Sequence, residues 1–306
     1  MSLFAKLSAD AGNRSATLAG IGLMLFSVWL FSLGDAVGKY IVATYSVGQL
    51  LLLRGLGSMI LLSPLIWRNR AQFAHIRRPG LQLLRVVLST AEVAAFFAAS
   101  IYLPLADIIT YYLAAPIFVT AGAAFFLGER VGWRRWIAIA IGFSGVLIAL
   151  QPSAQTISWP AMIALGGSAS FAGLMLVTRS LRDTPDMVLA SSQFAGTITF
   201  GIVMAPLGWV TPSLPDMGLF LLAACISVGA LLSLNRSLML APASVVVPYQ
   251  YSMIVWAVIF GYVAFGDVPS VATLVGAAVI IGAGFYIFLR ERSLAREDPV
   301  VVPPPG

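Results

Sequence analysis

The stretch "VGQLLLLRGLGSMILLSPLIW", residues 47–67, is apolar or weakly polar throughout except for one charged residue, Arg54. Its length matches the ~20 residues that an α-helix needs to cross the hydrocarbon layer of a bilayer. Ten stretches of this kind, this one included, follow one another along the chain with short polar breaks between them. The sequence therefore predicts an all-α integral membrane protein with ten transmembrane helices.

The composition supports this prediction and leaves almost no residues for a soluble domain. Of the 306 residues, 59% are hydrophobic and only 10% are charged, whereas soluble domains carry about 25% charged residues. The stretches lack the alternation of apolar and polar residues that strands would show. We place the helices at 17–39, 47–67, 81–103, 105–127, 134–151, 159–178, 187–209, 217–240, 243–265 and 270–289.

The net charge of +6 indicates an orientation in the membrane rather than nucleic-acid binding. With the N-terminus in the cytoplasm, every Lys and Arg except Lys39 and Arg54 falls in a cytoplasmic segment or at a cytoplasmic helix end. The positive-inside rule thus predicts that both termini lie in the cytoplasm and that the number of helices is even. Aromatic residues do not interleave with a continuous basic face, which argues against nucleic acid as a partner.

Residue types that build metal and catalytic sites are scarce. The single cysteine, Cys225, excludes an intrachain disulfide and a cysteine-based metal site, and the single histidine, His75, lies in a basic cytoplasmic loop. Zinc-protease motifs, nucleophile elbows and phosphate-binding glycine loops do not occur in the sequence. We therefore expect no enzymatic activity, no metal and no cofactor.

The two halves of the chain resemble each other. Ser100, Leu103, Ala106 and Tyr112 have the same spacing as Ser237, Leu240, Ala243 and Tyr249. Because each copy has five helices, an odd number, the second copy enters the membrane from the opposite side, as in the inverted repeats of many transporters. The predicted units are a cytoplasmic segment 1–16, a first repeat 17–151, a second repeat 159–289 and a disordered cytoplasmic tail 290–306. The alternative is a chance likeness between helices rich in Leu, Ala and Gly.

The sequence also resembles a known family. The segment 102–150, with its spacing of Pro116, Glu129 and Gly145, is similar to the signature of EamA-type members of the drug/metabolite transporter superfamily. The resemblance implies a ten-helix carrier with a central cavity and alternating access. The second copy has Asp267 in place of Glu129 and lacks a counterpart of Pro116, which implies unequal gates.

Two shorter motifs narrow this resemblance to a subgroup. "GDAVGKYI", 34–41, and "LLLRGLG", 51–57, resemble a subgroup that includes riboflavin and S-adenosylmethionine uptake carriers.

Four charges are predicted to lie inside the bilayer. An arginine such as Arg54 costs about 2.5–3.5 kcal/mol at the centre of a helix, and Glu92 carries the opposite charge at the centre of the next helix. Asp35 and Lys39 are four residues apart and share one helix face. We expect Arg54 to pair with Glu92 beside an aqueous cavity, with Glu92 and then Asp35 as proton-coupling groups. The alternatives are a structural clasp for Arg54 and Glu92, and a Lys39 that reaches the headgroups.

Further polar and aromatic residues are predicted to line the cavity or to gate it. We expect substrate contacts from Arg54, Glu92, Tyr112, Gln193, Tyr249, Gln250 and Trp256. Structural or gating roles are expected for Lys39, Pro116, Glu129, Pro248 and Asp267. The tyrosines and the tryptophan would otherwise serve helix packing or anchor the helices at the membrane interface.

Taken together, these features predict a secondary transporter of a small organic metabolite. The favoured substrate is an aromatic vitamin or nucleoside-like compound such as riboflavin, taken up into the cell. The alternatives are an exporter of amino acids or drugs and a membrane partner subunit that transports nothing. The sequence leaves open whether the chain acts as a monomer or a homodimer.

Overall fold

The computed structural model describes residues 3–73, 78–115, 118–119, 122, 133–150, 158–181, 184–240 and 246–297, and these residues are almost entirely helical. The α-helices in these ranges are α1 (Leu3–Val42), α2 (Val47–Arg68), α3 (Pro79–Ser100), α4 (Leu105–Tyr112), α5 (Trp133–Leu150), α6 (Trp159–Ser180), α7 (Asp186–Met204), α8 (Leu214–Leu240), α9 (Met253–Phe265) and α10 (Val271–Glu297). Short 3-10 helices follow α2 (Arg70–Phe73) and α7 (Ala205–Gly208) and precede α9 (Val247–Ser252). The all-α prediction is confirmed.

Helix boundaries differ from the prediction at both chain ends and at two interior helices, since α4 ends at Tyr112 and α9 begins at Met253. α1 begins at Leu3, and α10 continues to Glu297, so the first part of the predicted disordered tail is helical. The segment "RERSLARE", 290–297, consists mostly of strong helix formers, whose propensity outweighs its polar character. α9 begins later than predicted because a 3-10 helix precedes it.

The outer surface of the helices suits a bilayer. Within the described residues, six helices are long and apolar enough to span a membrane, namely Ala16–Val42, Val47–Arg68, Pro79–Ser100, Trp159–Thr178, Asp186–Gly208 and Leu214–Ser237. Shorter apolar helices are Trp136–Ala149, Tyr249–Phe265 and Val271–Tyr286. Large apolar side chains such as Ile60, Trp67 and Val263 are mostly exposed, as expected where lipid replaces water. The chain is a multi-pass membrane protein, and its ten spans stay a prediction.

Helices of the first half pack mainly on helices of the second half. The most extensive contacts join α1 to α8, α3 to α6, α2 to α7 and α5 to α10. If each helix is exchanged for the one five places away, α1–α8 becomes α6–α3, while α2–α7 and α5–α10 map onto themselves. The lesser pairs α1–α9 and α2–α8 likewise exchange with α6–α4 and α7–α3. The main helix contacts are therefore the same from the viewpoint of either half.

Glycines allow some of these helices to approach closely. A Cβ atom on Gly145 of α5 would lie 2.9 Å from the Gly276 carbonyl oxygen, and one on Gly276 of α10 would lie 2.6 Å from the Gly145 carbonyl oxygen. Backbone contact of this kind is typical of small residues at membrane helix crossings. On α1, a Cβ on Gly38 would overlap with the ring of Phe97. This contact brings α1 and α3 together beside the charged residues.

Candidate functional site

Three of the predicted intramembrane charges meet inside the bundle. Asp35 on α1, Arg54 on α2 and Glu92 on α3 lie close enough to one another to interact electrostatically. All three lie deep in the protein, where burial desolvates them, yet each is only half-buried by accessible surface. Their accessible surface therefore faces space inside the bundle, and these three residues are called the central charge cluster.

The predicted pairing of Arg54 with Glu92 is wrong as a direct contact. Among the described residues, the one ion pair within 4.0 Å joins Lys39 and Asp267. The Arg54 guanidinium instead lies over the ring of Phe97, 5.0 Å from its centroid. This cation–π contact offsets part of the desolvation of the arginine. In the described part of the chain, both carboxylates of the cluster are thus without a directly bonded cation.

Several polar atoms near the cluster have no partner within the described residues. The Oδ2 atom of Asp35 is buried without a hydrogen bond, and so are the hydroxyl oxygens of Ser32 and Ser58. Ser32 lies three residues before Asp35, and Ser58 lies four residues after Arg54, so each shares a helix face with a charged residue. Buried polar atoms normally have partners. Their arrangement suits a polar ligand or water between α1 and α2.

Tyr112 braces the cluster from α4. Its hydroxyl donates a hydrogen bond to the main-chain oxygen of Glu92 at 2.9 Å. Its ring packs edge-on against Phe96, with centroids 5.4 Å apart, and lies near Phe171 of α6. The tyrosine therefore fixes the position of the α3 turn that carries the Glu92 carboxylate.

Lys39 belongs to a separate group, called the Lys39 cluster, which joins the two halves at one end of the bundle. Its ammonium donates to Asp267 Oδ2 at 2.8 Å and to the Leu103 carbonyl oxygen at 3.0 Å. It also lies 4.7 Å from the centroid of the Phe265 ring. Lys39 is thus neither a partner of Asp35 nor a residue that reaches for headgroups, because three neighbours already hold it.

One further contact and one tight turn complete this end of the bundle. The Thr273 hydroxyl of α10 donates to Asp107 Oδ1 of α4 at 2.6 Å. Gly266, in the left-handed conformation with φ 72°, ends α9 and turns the chain so that Asp267 faces Lys39. Only glycine adopts this conformation without strain.

Within the described residues, no hydrogen bond, ion pair or ring contact joins the remaining predicted site residues to the central charge cluster, and some of these residues lie outside the described part of the chain. Gln193 is half-buried on α7, and Tyr249 and Gln250 are exposed in the 3-10 helix before α9. Trp256 stacks on Phe260 with centroids 6.1 Å apart. It also packs against a small apolar cluster that contains Met24 and Val28 of α1. Pro116, Glu129, His75 and the side chain of Pro248 lie outside the described residues.

Polar side chains also join the halves at both ends of α2 and α3. At one end, the Gln49 amide bonds both the N–H and the carbonyl of Val210, at 3.1 and 2.6 Å. Beside it, the Tyr45 hydroxyl donates to Asp216 at 2.8 Å, and this hydrogen bond raises the pKa of Tyr45. At the other end, Arg85 donates to the Thr178 hydroxyl at 3.0 Å and the Leu189 carbonyl at 2.9 Å.

Sequence reasoning missed Phe97, Asp107 and Thr273. Phe97 reads as one apolar residue among many in "EVAAFFAAS", and its role depends on the close approach that Gly38 permits. Asp107 lies near the start of an apolar stretch, and its acidic side chain there was the sequence signal that could have identified it. Thr273 has no distinguishing sequence signal.

Comparisons with known proteins agree with this architecture. The model of the EamA-like transporter family matches residues 18–151. A solved crystal structure with 16% identity superposes with a TM-score of 0.60, covering 92% of this chain and 99% of that one. At this identity the likeness concerns the fold alone.

Curated relatives are transporters. A riboflavin transporter of Rhizobium johnstonii is 31% identical over 221 residues, covering 72% of this chain and 73% of that protein. An S-adenosylmethionine uptake transporter of Rickettsia felis is 26% identical over 278 residues, covering 90% and 94%. A pseudopaline exporter of Pseudomonas aeruginosa is 25% identical over 272 residues, covering 87% and 94%. The chain belongs to the EamA-like transporter family.

Proposed function

We propose that the protein is a secondary carrier that moves a small organic metabolite across the bacterial inner membrane by alternating access. The observation that carries the proposal is the central charge cluster, whose three side chains face space inside a bundle of apolar helices. Ionisable residues inside a membrane bundle usually mark a transport pathway. The favoured substrate is an aromatic vitamin or nucleoside-like compound such as riboflavin, taken up into the cell, and the riboflavin relative supports this choice.

The proposed mechanism rests on two five-helix units, 17–151 and 159–289, of opposite orientation. The exchange of helix contacts between halves supports this inverted repeat. In the proposed topology both termini are cytoplasmic, so the Lys39 cluster closes the outer end of the bundle. Opening that end requires the Lys39–Asp267 ion pair to break. Glu129, Pro116 and Pro248 remain proposed gating residues.

Roles within the site follow from position. Arg54 and Glu92 are proposed to contact the substrate, and Tyr112 to contact it or to hold Glu92 in place. Glu92 and Asp35 are proposed to take up and release a proton during the cycle. Gln193, Tyr249, Gln250 and Trp256 are proposed as contacts formed in other states of the carrier.

Export is the second candidate, and the relative that exports pseudopaline favours it. The same cavity serves either direction, since direction follows the gradients of substrate and proton. A partner subunit without transport activity is the alternative from another class.

Substrate counterflow in proteoliposomes tests the carrier function. A carrier accelerates uptake of labelled riboflavin when unlabelled riboflavin is inside, whereas a channel or partner subunit does not. Rescue of a riboflavin auxotroph at low external vitamin tests the substrate and the direction. Failure of rescue together with faster efflux of a labelled amino acid would favour export. Unchanged pH-driven transport in Glu92→Gln would contradict proton coupling at Glu92.

A further inference from the structure

The Asp35 carboxylate lies among cations that are bound elsewhere. Lys39, one turn further along α1, is held by Asp267 at 2.8 Å and by the Leu103 carbonyl at 3.0 Å. Arg54 stacks on Phe97 and forms no ion pair within 4.0 Å in the described part of the chain. Asp35 Oδ2 is consequently buried without a hydrogen-bond donor.

The charge balance of the central charge cluster also indicates a missing cation. Two carboxylates, Asp35 and Glu92, accompany one guanidinium, that of Arg54, so the ionised cluster carries one excess negative charge. A carboxylate oxygen removed from water and left without a donor is strongly unfavourable. A cation that donates hydrogen bonds would supply both the missing charge and the missing donor.

Two serines provide an independent sign of a polar ligand. The Ser32 side chain lies on the face of α1 that carries Asp35, and Ser58 lies on the face of α2 that carries Arg54. These serines are only 2% and 0% exposed, and neither hydroxyl has a hydrogen-bond partner among the residues that the structure describes. Unsatisfied hydroxyls at this depth are expected where a ligand or water completes the site.

Resting on the carrier function proposed above, we infer that Asp35 and Glu92 bind a protonated amino group of the transported metabolite. The hydroxyls of Ser32 and Ser58 provide further polar contacts to the same ligand. The carrier then takes amine-bearing cations and zwitterions in preference to uncharged compounds. Within the substrate class proposed above, it favours amine-bearing nucleoside-like compounds over riboflavin, which has no basic amine. Among nucleoside-like substrates, this selects those with an aliphatic amine.

The test compares two ligands that differ in one group. Adenosine and 5′-amino-5′-deoxyadenosine are titrated by calorimetry against the purified full chain in detergent at neutral pH. The amine is expected to bind at least about tenfold more tightly, a ratio that corresponds to about 1.4 kcal/mol. Equal affinities, or binding of neither compound, would overturn the inference. This comparison uses the unmodified protein and does not depend on a variant that folds.

Variants then locate the preference. Asp35→Asn is expected to bring the affinity ratio close to one, while Asp35→Glu retains part of the preference. Asp186→Asn, at an exposed acidic residue that begins α7, is the matched control and keeps the full ratio. A ratio unchanged in Asp35→Asn would overturn the assignment to Asp35. Size-exclusion chromatography verifies that each variant is folded.

The site could instead hold an inorganic cation or a proton. If sodium raises the melting temperature of the wild type but not of Asp35→Asn, and the amine shows no preference, the site binds sodium and the inference is wrong. If the amine shows no preference and sodium has no effect, a protonated carboxylate explains the balance, and the inference is equally wrong. Counterflow of riboflavin would still uphold the carrier function in both cases, so the two proposals fail separately.

Discussion

Lys39 and Arg54, the two cations predicted to lie inside the bilayer, have different surroundings. Lys39 has two hydrogen-bond acceptors and an aromatic ring, whereas Arg54 has a ring beneath it and carboxylates at a distance. A fully bonded charge stabilises one arrangement of the helices, while an incompletely bonded one remains available to a ligand. We therefore interpret Lys39 as part of a contact that closes one end of the bundle, and Arg54 as a group that can bind a ligand.

The ion pair between Lys39 and Asp267 should stabilise the closed end measurably. Because the side chains are only 14% and 26% exposed, Lys39→Gln and Asp267→Asn are each expected to lower the free energy of unfolding by about 1–2 kcal/mol. The double variant should lose little more than either single variant, since both remove the same contact. Denaturant titration in detergent micelles measures the cycle. Additive losses would show that the two residues act independently.

Gln49 offers a second test at the scale of one side chain. It is fully buried and bonds both main-chain polar groups of Val210. Gln49→Leu keeps a similar volume but leaves those groups unpaired, so we expect a loss of about 2 kcal/mol in unfolding free energy. Gln72→Leu, at an exposed glutamine, should change it by less than about 0.5 kcal/mol. Equal effects of the two variants would show that the hydrogen bonds between Gln49 and Val210 do not stabilise the fold.

At the scale of the helix, the approach of α1 to α3 decides where Arg54 rests. Gly38 lies against the Phe97 ring, which is 1% exposed and has little room to move. A side chain at position 38 would displace the ring against which the guanidinium rests. The geometry of the charge cluster therefore depends on a glycine that bears no functional group.

Gly38→Ala adds only one methyl group, but it should impair transport strongly. Inserting a methyl group into a packed contact costs about 1–3 kcal/mol, and we expect the counterflow rate in proteoliposomes to fall at least about tenfold if this strain displaces Arg54. Gly22→Ala on the same helix has no atom within 4 Å of the new Cβ and should transport like the wild type. Identical rates in the two variants would contradict the role of Phe97.

Sequence reasoning predicted which helices carry the charges but not their partners. Period and length locate Asp35, Arg54 and Glu92 on three consecutive helices, and the sign of each charge is explicit. The partners depend on tertiary contacts. Asp267 reaches Lys39 because Gly266 turns the chain after α9, and Arg54 meets Phe97 because Gly38 lets two helices touch. The hydropathy of the sequence indicates neither the contact of Asp267 with Lys39 nor the contact of Arg54 with Phe97.

At the scale of the whole molecule, the charges break the likeness between the halves. The main helix contacts exchange between halves, but the central charge cluster lies entirely on α1, α2 and α3. A ligand bound there would therefore contact charged side chains of the first half alone. In the proposed mechanism, the Lys39–Asp267 ion pair crosses from one half to the other and must open in each cycle.

Linking these two positions covalently should stop transport. In a background with Cys225, the single cysteine, replaced by Ser, Lys39→Cys and Asp267→Cys are combined and treated with a short bifunctional thiol reagent. If the ends must separate, the linked protein should lose nearly all counterflow, and cleaving a reducible linker should restore it. Each single-cysteine variant, treated identically, should keep its untreated rate. Full counterflow in the linked protein would show that this end stays closed throughout transport, and alternating access at the Lys39 cluster would have to be abandoned.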